Sequence, residues 1–387
     1  MRIVHTADWH IGKILNDYSL LEDQRSWFFR FADRLSELRA DALIVAGDLY
    51  DRSVPSAEAV TLLGQILCDI VLERGIPTLL VAGNHDSRER LSFGSELLER
   101  SGLHIAGRIE RQIRNVTLQK GGESVTFWLM PYFEPHNIKA LYPDETIRTQ
   151  SEAAKLYTAP MLEELDPSAV NILIGHGLFA CIGADSQNDA SAGGSEIADA
   201  SPFEVFDYVA LGHLHSHRTA GSERMIYAGS PLKYSIDEAG QDKSFTVLDI
   251  HDKDQISLHI ESLPPLRDVR VLRGAFEELA ELGRQNPTED YIFAELTDET
   301  VILNAVSRLK SVYPNITGLK YSNLRSVKAD KLVKSQSAIA SLSEPELFSD
   351  FYQSVMEEPL AEEETEYVGR IFHELKGEAN DTAQIDH

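Results

Sequence analysis

Five short polar motifs recur along this chain, most of them directly after an apolar run. They are Asp8-Trp9-His10, Gly47-Asp48, Gly83-Asn84-His85-Asp86, Gly175-His176 and Gly212-His213-Leu214-His215. Residues 3–7, 42–46 and 78–82 are apolar stretches of strand length, and each ends where a motif begins. That placement gathers Asp, His and Asn side chains at one edge of a sheet, with glycines permitting tight turns and close backbone approach. Taken singly, each motif has a plain structural explanation. A histidine at a strand end is usually hydrogen-bonded, a Gly-Asp pair is a turn, and Asn-His-Asp can cap a helix. Five of them in one order call for a shared purpose.

Between the apolar runs lie helical patterns. Trp27, Phe28, Phe31, Leu35 and Leu38 recur at helical spacing, as do Leu63, Ile66, Leu67, Ile70 and Val71, with Ser56 as N-cap and Gly75 as stop. A second set of strands is expected at 125–130, 170–174, 209–211, 225–228 and 245–250, with a Gly/Ala/Ser-rich surface loop over 181–202. The fold class is therefore α/β (α+β): a layered body with central β-sheets flanked by helices, loops at strand ends carrying the chemistry. With 387 residues the chain exceeds the usual size of one core. We expect a main domain over 1–265 that ends near Pro264-Pro265, then a small α/β capping domain over 266–325. Its strands are expected at 269–272, 291–296 and 318–322, with helices at 276–282 and 301–312. A polar linker (326–342) would lead to a helical segment (343–377) and a disordered tail (378–387).

The motif side chains offer oxygen and imidazole nitrogen and no thiolate. Such a set suits Mn²⁺, Fe²⁺ or Zn²⁺ at a reactive centre better than a structural zinc site. Seven ligands for two ions require a shared group, and a carboxylate can bridge. Two ions about 3.5–4 Å apart can activate a water and hold both the attacking and leaving oxygens of a phosphate ester.

The motif order resembles the calcineurin-like metallophosphoesterase superfamily, whose pattern is D-x-H, G-D, G-N-H-[DE], H, G-H-x-H. More narrowly, HTADWHIGK, VAGDLYD, VAGNHDS and LGHLHSH look like the bacterial SbcD family of nuclease subunits. The likeness extends over nearly the whole chain, since a small cap and a C-terminal tail are also family features. It implies that Asp8, His10, Asp48 and His215 hold one metal ion, that Asp48 bridges, and that Asn84, His176 and His213 hold the second. Mn²⁺ is the expected ion. His85 would then face the scissile phosphate as a catalytic proton donor rather than a ligand. Asp51, next to the site, and Asp86 would both support the ligands from behind, Asp86 by orienting a histidine. The family also implies DNA as substrate, 3′-to-5′ exonuclease action on duplex ends, endonuclease action on single strands and hairpins, and an SbcC-type ATPase partner. A homodimer within a heterotetramer is the expected assembly.

Charge sits awkwardly with a DNA substrate. The formal net charge is −26, yet residues 341–387 hold thirteen acidic residues against two basic ones, leaving −15 for the rest. A separate acidic tail is screened beyond about 8 Å at physiological salt, so a basic partner or the metal ions would carry the phosphate. The tail itself has two apolar stripes at helical spacing: Leu347, Phe348, Phe351, Tyr352 and Val355, then Tyr367, Val368, Ile371, Phe372 and Leu375. Each would give a helix one apolar and one acidic face, fit for a groove on the ATPase. Packing on the chain's own body is the alternative.

Other histidines, His5, His251 and His259, read as structural, while His217 lies close enough to the last motif to reach substrate. Cys68 and Cys181 match no metal spacing and suggest a reduced, cytoplasmic protein. No run of about 18 apolar residues exists, so no membrane association is expected. Two other functions use the same features: a small-molecule phosphodiesterase or phosphatase, and an inactive adapter of an ATPase. The cap and tail weigh against the first, the complete motif set against the second.

Overall fold

The computed structural model describes residues 1–180 and 197–322 and, near the C-terminus, 348–349, 352, 360–361, 364–365 and 367–372. Two six-stranded sheets dominate. The first runs in the order Ile256–Glu261, Phe245–Ile250, Arg2–Thr6, Ala42–Ala46, Thr78–Val81, Leu103–Ala106. The second runs Arg218–Thr219, Met225–Tyr227, Tyr208–Gly212, Val170–His176, Glu123–Met130, Arg114–Lys120.

Period-two alternation explains the layering. Ile3, Ile44, Leu79 and Val81 of the first sheet share one buried cluster with Phe127, Leu129, Ile172, Ile174 and Ala210 of the second. Their strand neighbours face outward instead. Val4, Leu43, Val45 and Leu80 pack under the helices Leu21–Leu38 and Ala57–Cys68, whereas Trp128, Leu173, Val209 and Leu211 pack under Gln150–Glu164. The strands are thus apolar on both faces, as sheets covered by helices on one side and a second sheet on the other must be. Each fully buried large aliphatic or aromatic side chain contributes about 1.5–3 kcal/mol.

The helix Leu21–Leu38 buries Trp27, Phe28, Phe31 and Leu35 on one stripe, with Trp27 stacked on Phe31 at 4.9 Å between ring centroids. Ser56 caps the next helix by accepting from Ala59 N, and a π turn, Asp69–Glu73, extends it. Leu63, Ile66, Ile70 and Val71 are buried in this chain's own core.

Strands expected at 42–46, 245–250 and 291–296 form over those bounds. The helix expected at 301–312 is only Ala305–Leu309, because Asn304 adopts φ 56° and blocks its N-terminal extension. A three-stranded sheet runs Val269–Gly274, Tyr291–Leu296, Ile316–Tyr321, with the helix Phe276–Gln285 in its first connection.

By compactness the chain divides in two. One unit comprises Met1–Arg273, Glu277–Ala294 and Asn304–Leu319, and holds every motif. The other comprises Gly274–Phe276, Glu295–Leu303 and Lys320–His387. In the second unit Phe348 and Phe372 meet edge to face at 6.3 Å, and Phe348, Tyr367 and Ile371 are exposed. Leu347, Phe351, Val355 and Leu375, the 326–342 linker and the 378–387 tail lie outside the described residues, as do Cys181 and most of the 181–202 loop. Ala198–Asp199, at the end of that stretch, pairs in parallel with Phe179–Ala180. No described helix is long and apolar enough to cross a membrane.

Candidate metal centre

Three parallel strands of the first sheet, Arg2–Thr6, Ala42–Ala46 and Thr78–Val81, end on the same side and lead into Asp8, Asp48 and Asn84. In the second sheet Val170–His176 and Tyr208–Gly212 also run parallel, so that His176 ends one strand and His213 follows the other. The C-terminal strand ends of two stacked sheets therefore deliver all seven motif side chains to one place.

Backbone conformation there is unusual. Asp8, His10, Asp48 and His213 all have positive φ, at 52°, 43°, 52° and 107°. Non-glycine residues are held this way only where the surroundings over-determine them, and such positions cluster at functional sites. Two motif glycines make the approach possible. A Cβ on Gly83 would lie 2.1 Å from Asp48 Oδ1, and one on Gly212 would lie 1.8 Å from the Ala46 carbonyl.

The side chains fall into overlapping groups. Asp8, His10 and His215 offer ligand atoms within 4.8 Å of one another, as do Asp8, Asp48 and His176. His10 Nε2 is 3.1 Å from His215 Nε2 and 3.6 Å from Asp48 Oδ2. On the other side, His176 Nε2 is 3.3 Å from Asp48 Oδ2 and 3.0 Å from Asn84 Oδ1, which in turn lies 3.2 Å from His213 Nδ1. His176 Nδ1 lies 2.8 Å from the Ala46 carbonyl, which can only accept. Nδ1 therefore carries a proton, so Nε2 faces Asp48 Oδ2 and Asn84 Oδ1 across a gap that only a second proton or a metal cation can fill. What such a constellation needs is a cation. The residues fit divalent metal ions.

Electrostatics agree. Burial opposes charge on His176, but Asp48 outweighs it and raises the imidazole to about 9. Burial likewise works against the Asp48 anion, yet His176 holds that carboxyl below the usual carboxylate range. Asp8 is pushed up to about 7 by burial, and burial lowers His10 to about 3 and His213 to about 4.

His85 stands beside these groups, its ring 4.8 Å from that of His10. Its Nδ1 donates to the Asp51 carbonyl at 2.8 Å, which turns Nε2 away from that loop. His10, Asp51 and His85 also offer ligand atoms within 4.8 Å, so proximity alone does not separate His85 from the ligands.

Asp86 differs from expectation. Among the described residues its carboxylate is hydrogen-bonded to no histidine side chain; it accepts backbone N–H groups from Leu49, Tyr50 and Gly83 at 3.1, 3.0 and 2.9 Å. The reason is its place at a turn, where it ties the Gly47-Asp48 loop to the Gly83-Asn84 loop.

Supporting groups come from outside the motifs. Glu238 Oε1 lies 2.9 Å from His215 Nδ1, and Glu238 Oε2 accepts from Lys243 at 2.6 Å. Gln24 binds the Trp9 and His10 carbonyls and Gly12 N, while the Tyr234 hydroxyl donates to the Trp9 carbonyl. No local spacing marks any of them. Of the remaining histidines, His5 is buried with Nδ1 at 2.8 Å from the Tyr208 hydroxyl. His217 lies 3.4 Å from the Thr246 hydroxyl.

The chain is similar to known proteins over nearly its whole length. A family described as calcineurin-like phosphoesterase matches residues 1–217, and one described as the C-terminal domain of type 5 capsule protein repressor matches residues 265–356. A Staphylococcus epidermidis protein, named as the SbcD component of nuclease SbcCD, is 33% identical over 373 residues, covering 96% of this chain and 98% of that relative. A protein of the same name from Staphylococcus saprophyticus subsp. saprophyticus is 32% identical over 385 residues, covering 98% and 100%.

Proposed function

The chain belongs to the SbcD family of calcineurin-like nuclease subunits, and from that premise we propose how its centre cuts DNA. Asp8, His10, Asp48 and His215 hold one divalent ion, and Asp48, Asn84, His176 and His213 hold the second. The ion is Mn²⁺. When bound, the pair supplies positive charge and Lewis acidity at the phosphate oxygens.

One observation supports this reading above the others. Asp48 Oδ1 is engaged by His85 N at 2.9 Å, which leaves Oδ2 between the two groups, 3.6 Å from His10 and 3.3 Å from His176. Oδ2 could there be shared by the two ions that these groups would hold. The chain's own residues do the rest. Asn84 and the imidazoles would hold the ions that meet the phosphate. His85, anchored by the Asp51 carbonyl through Nδ1–H, presents Nε2 to a non-bridging oxygen or to the leaving oxygen, and as the imidazolium it gives up its Nε2 proton there and is left as the neutral ring.

The substrate is DNA, cut 3′-to-5′ from duplex ends and endonucleolytically in single strands and hairpins. An SbcC-type ATPase is the partner, bound by the C-terminal stripes, and two copies of each protein assemble in the cytoplasm.

Labelled duplex and hairpin DNA, incubated with Mn²⁺ with and without the ATPase, test the reading. Wild type should cleave both, and Asp48→Ala should lose cleavage and both ions. Two ions per chain in Asp48→Ala by elemental analysis would overturn the bridging role.

A further inference from the structure

Asp51 is a crossing point of four interactions beside the metal centre. Its carbonyl holds His85 Nδ1 at 2.8 Å. Its Oδ1 accepts from Lys13 Nζ at 2.8 Å and lies 3.7 Å from His10 Nδ1. Arg52 Nε is 3.7 Å from its Oδ2. The Asp51 side chain is 10% exposed and that of Lys13 is 25% exposed, so this ammonium lies mostly inside the protein yet still reaches solvent.

The backbone puts Lys13 there. Lys13 N donates to the His10 carbonyl and Asp51 N to the Ile11 carbonyl, and Ile11 bridges Tyr50. The two loops are zipped together by main-chain contacts, so the ion pair does not have to hold them.

A cation next to His10 and His85 does nothing for metal ions, which it repels. It suits an anion. In a chain of net charge −26, a lysine at this place complements the charge of a phosphate brought to the centre. An ammonium carries three N–H donors, and Asp51 takes one.

We propose that Lys13 is a substrate-binding residue: Asp51 fixes its ammonium, and its remaining N–H donors hold a non-bridging oxygen of a DNA backbone phosphate beside His85. This rests on the phosphodiesterase reading above and adds a residue that the metal motifs do not contain. The competing role is simple neutralisation of Asp51, in which the lysine never meets substrate.

Full-length wild type, Lys13→Met and Lys13→Arg, loaded with Mn²⁺, separate the two. Cleavage of a duplex oligonucleotide gives KM and kcat, and anisotropy with a phosphorothioate-protected duplex gives Kd as a function of salt. Lys13→Met should raise KM and Kd by about 10- to 100-fold, the usual effect of losing a hydrogen bond to a charged group. Its log–log salt slope should fall by about one phosphate contact, with two ions per chain retained, and Lys13→Arg should restore most of the affinity. An unchanged Kd and salt slope would leave Lys13 as the counter-ion of Asp51 and overturn the proposal. Loss of metal from Lys13→Met would also overturn it, by assigning the residue to His10. Wild type that neither binds metal nor cleaves DNA would sink the phosphodiesterase reading itself.

Discussion

The carboxylate of Glu238 lies 2.9 Å from His215 Nδ1 and 2.6 Å from the Lys243 ammonium, with both members of that ion pair 8% exposed. An anion at Nδ1 fixes the proton there and leaves the Nε2 lone pair for a cation. Burial works against the Glu238 anion, but His215 and Lys243 together hold it down to about 2, so it stays charged at neutral pH. Partners of this kind set the orientation and basicity of a metal-binding imidazole.

Glu238→Gln should therefore weaken binding of the ion held by His215 by about 10- to 100-fold. Titration calorimetry with Mn²⁺ checks this, and equal affinity for both ions in variant and wild type would refute it. Glu238→Ala is the harsher change. It strands Lys243 without its anion, and loss of one partner of a buried pair typically costs about 3–5 kcal/mol, which a denaturant melt would register.

Binding and chemistry separate at His85. Because its Nδ1 is committed to the Asp51 carbonyl, His85→Gln should retain two ions per chain while cleavage falls by about 10²- to 10⁴-fold, the usual yield of general acid catalysis. Elemental analysis beside single-turnover cleavage decides it. Loss of metal in this variant would move His85 into the ligand set with His10 and Asp51.

The apolar runs and the Asp/His/Asn motifs made the layered body and the convergence of those side chains legible in the sequence, because strand alternation and strand-end placement are local properties. Edge strands were harder. Leu103–Ala106, Arg114–Lys120 and Ile256–Glu261 lie at or next to sheet margins, and two of them carry several exposed residues, so their apolar pattern is diluted. Glu238 and Lys243 were invisible for another reason. Their partner His215 is brought to them by tertiary folding, and neither sits in a spacing that marks a ligand shell. Positive φ at Asp8, His10, Asp48 and His213 was equally hidden, since no propensity assigns that conformation to these residues.

Metal binding should depend on pH through His176. Its imidazole is raised to about 9, chiefly because Asp48 outweighs the effect of burial. At pH 7 the metal-free ring holds two protons, and an ion arriving at Nε2 must displace one. Asp8, pushed up to about 7 by burial, adds a fractional proton, whereas His10, lowered to about 3, adds none. Affinity should thus rise by about tenfold per pH unit for each displaced proton through neutrality and level off above about pH 9. Calorimetry at pH 7 in buffers of different ionisation enthalpy should show one or more protons released per chain. Heat independent of the buffer would contradict this.

The C-terminal stripes leave apolar side chains in water. Phe348 and Phe372 meet edge to face at 6.3 Å, and Phe348, Tyr367 and Ile371 are 37%, 60% and 39% exposed. Side chains already buried against their own core would not leave this much apolar surface in water, and each such group gains about 1.5–3 kcal/mol on full burial. The stripes are therefore proposed to fill a groove on the ATPase partner. Phe348→Asp with Phe372→Asp should abolish co-purification with an SbcC-type ATPase, because an unpaired carboxylate is costly at an apolar interface. Every proposed metal-binding residue lies before residue 216, so Mn²⁺-dependent hydrolysis of a small phosphodiester should persist at the wild-type rate. Capture of the ATPase at full strength by the double variant would place docking elsewhere. Aggregation of the variant would show instead that the stripes complete this chain's own core.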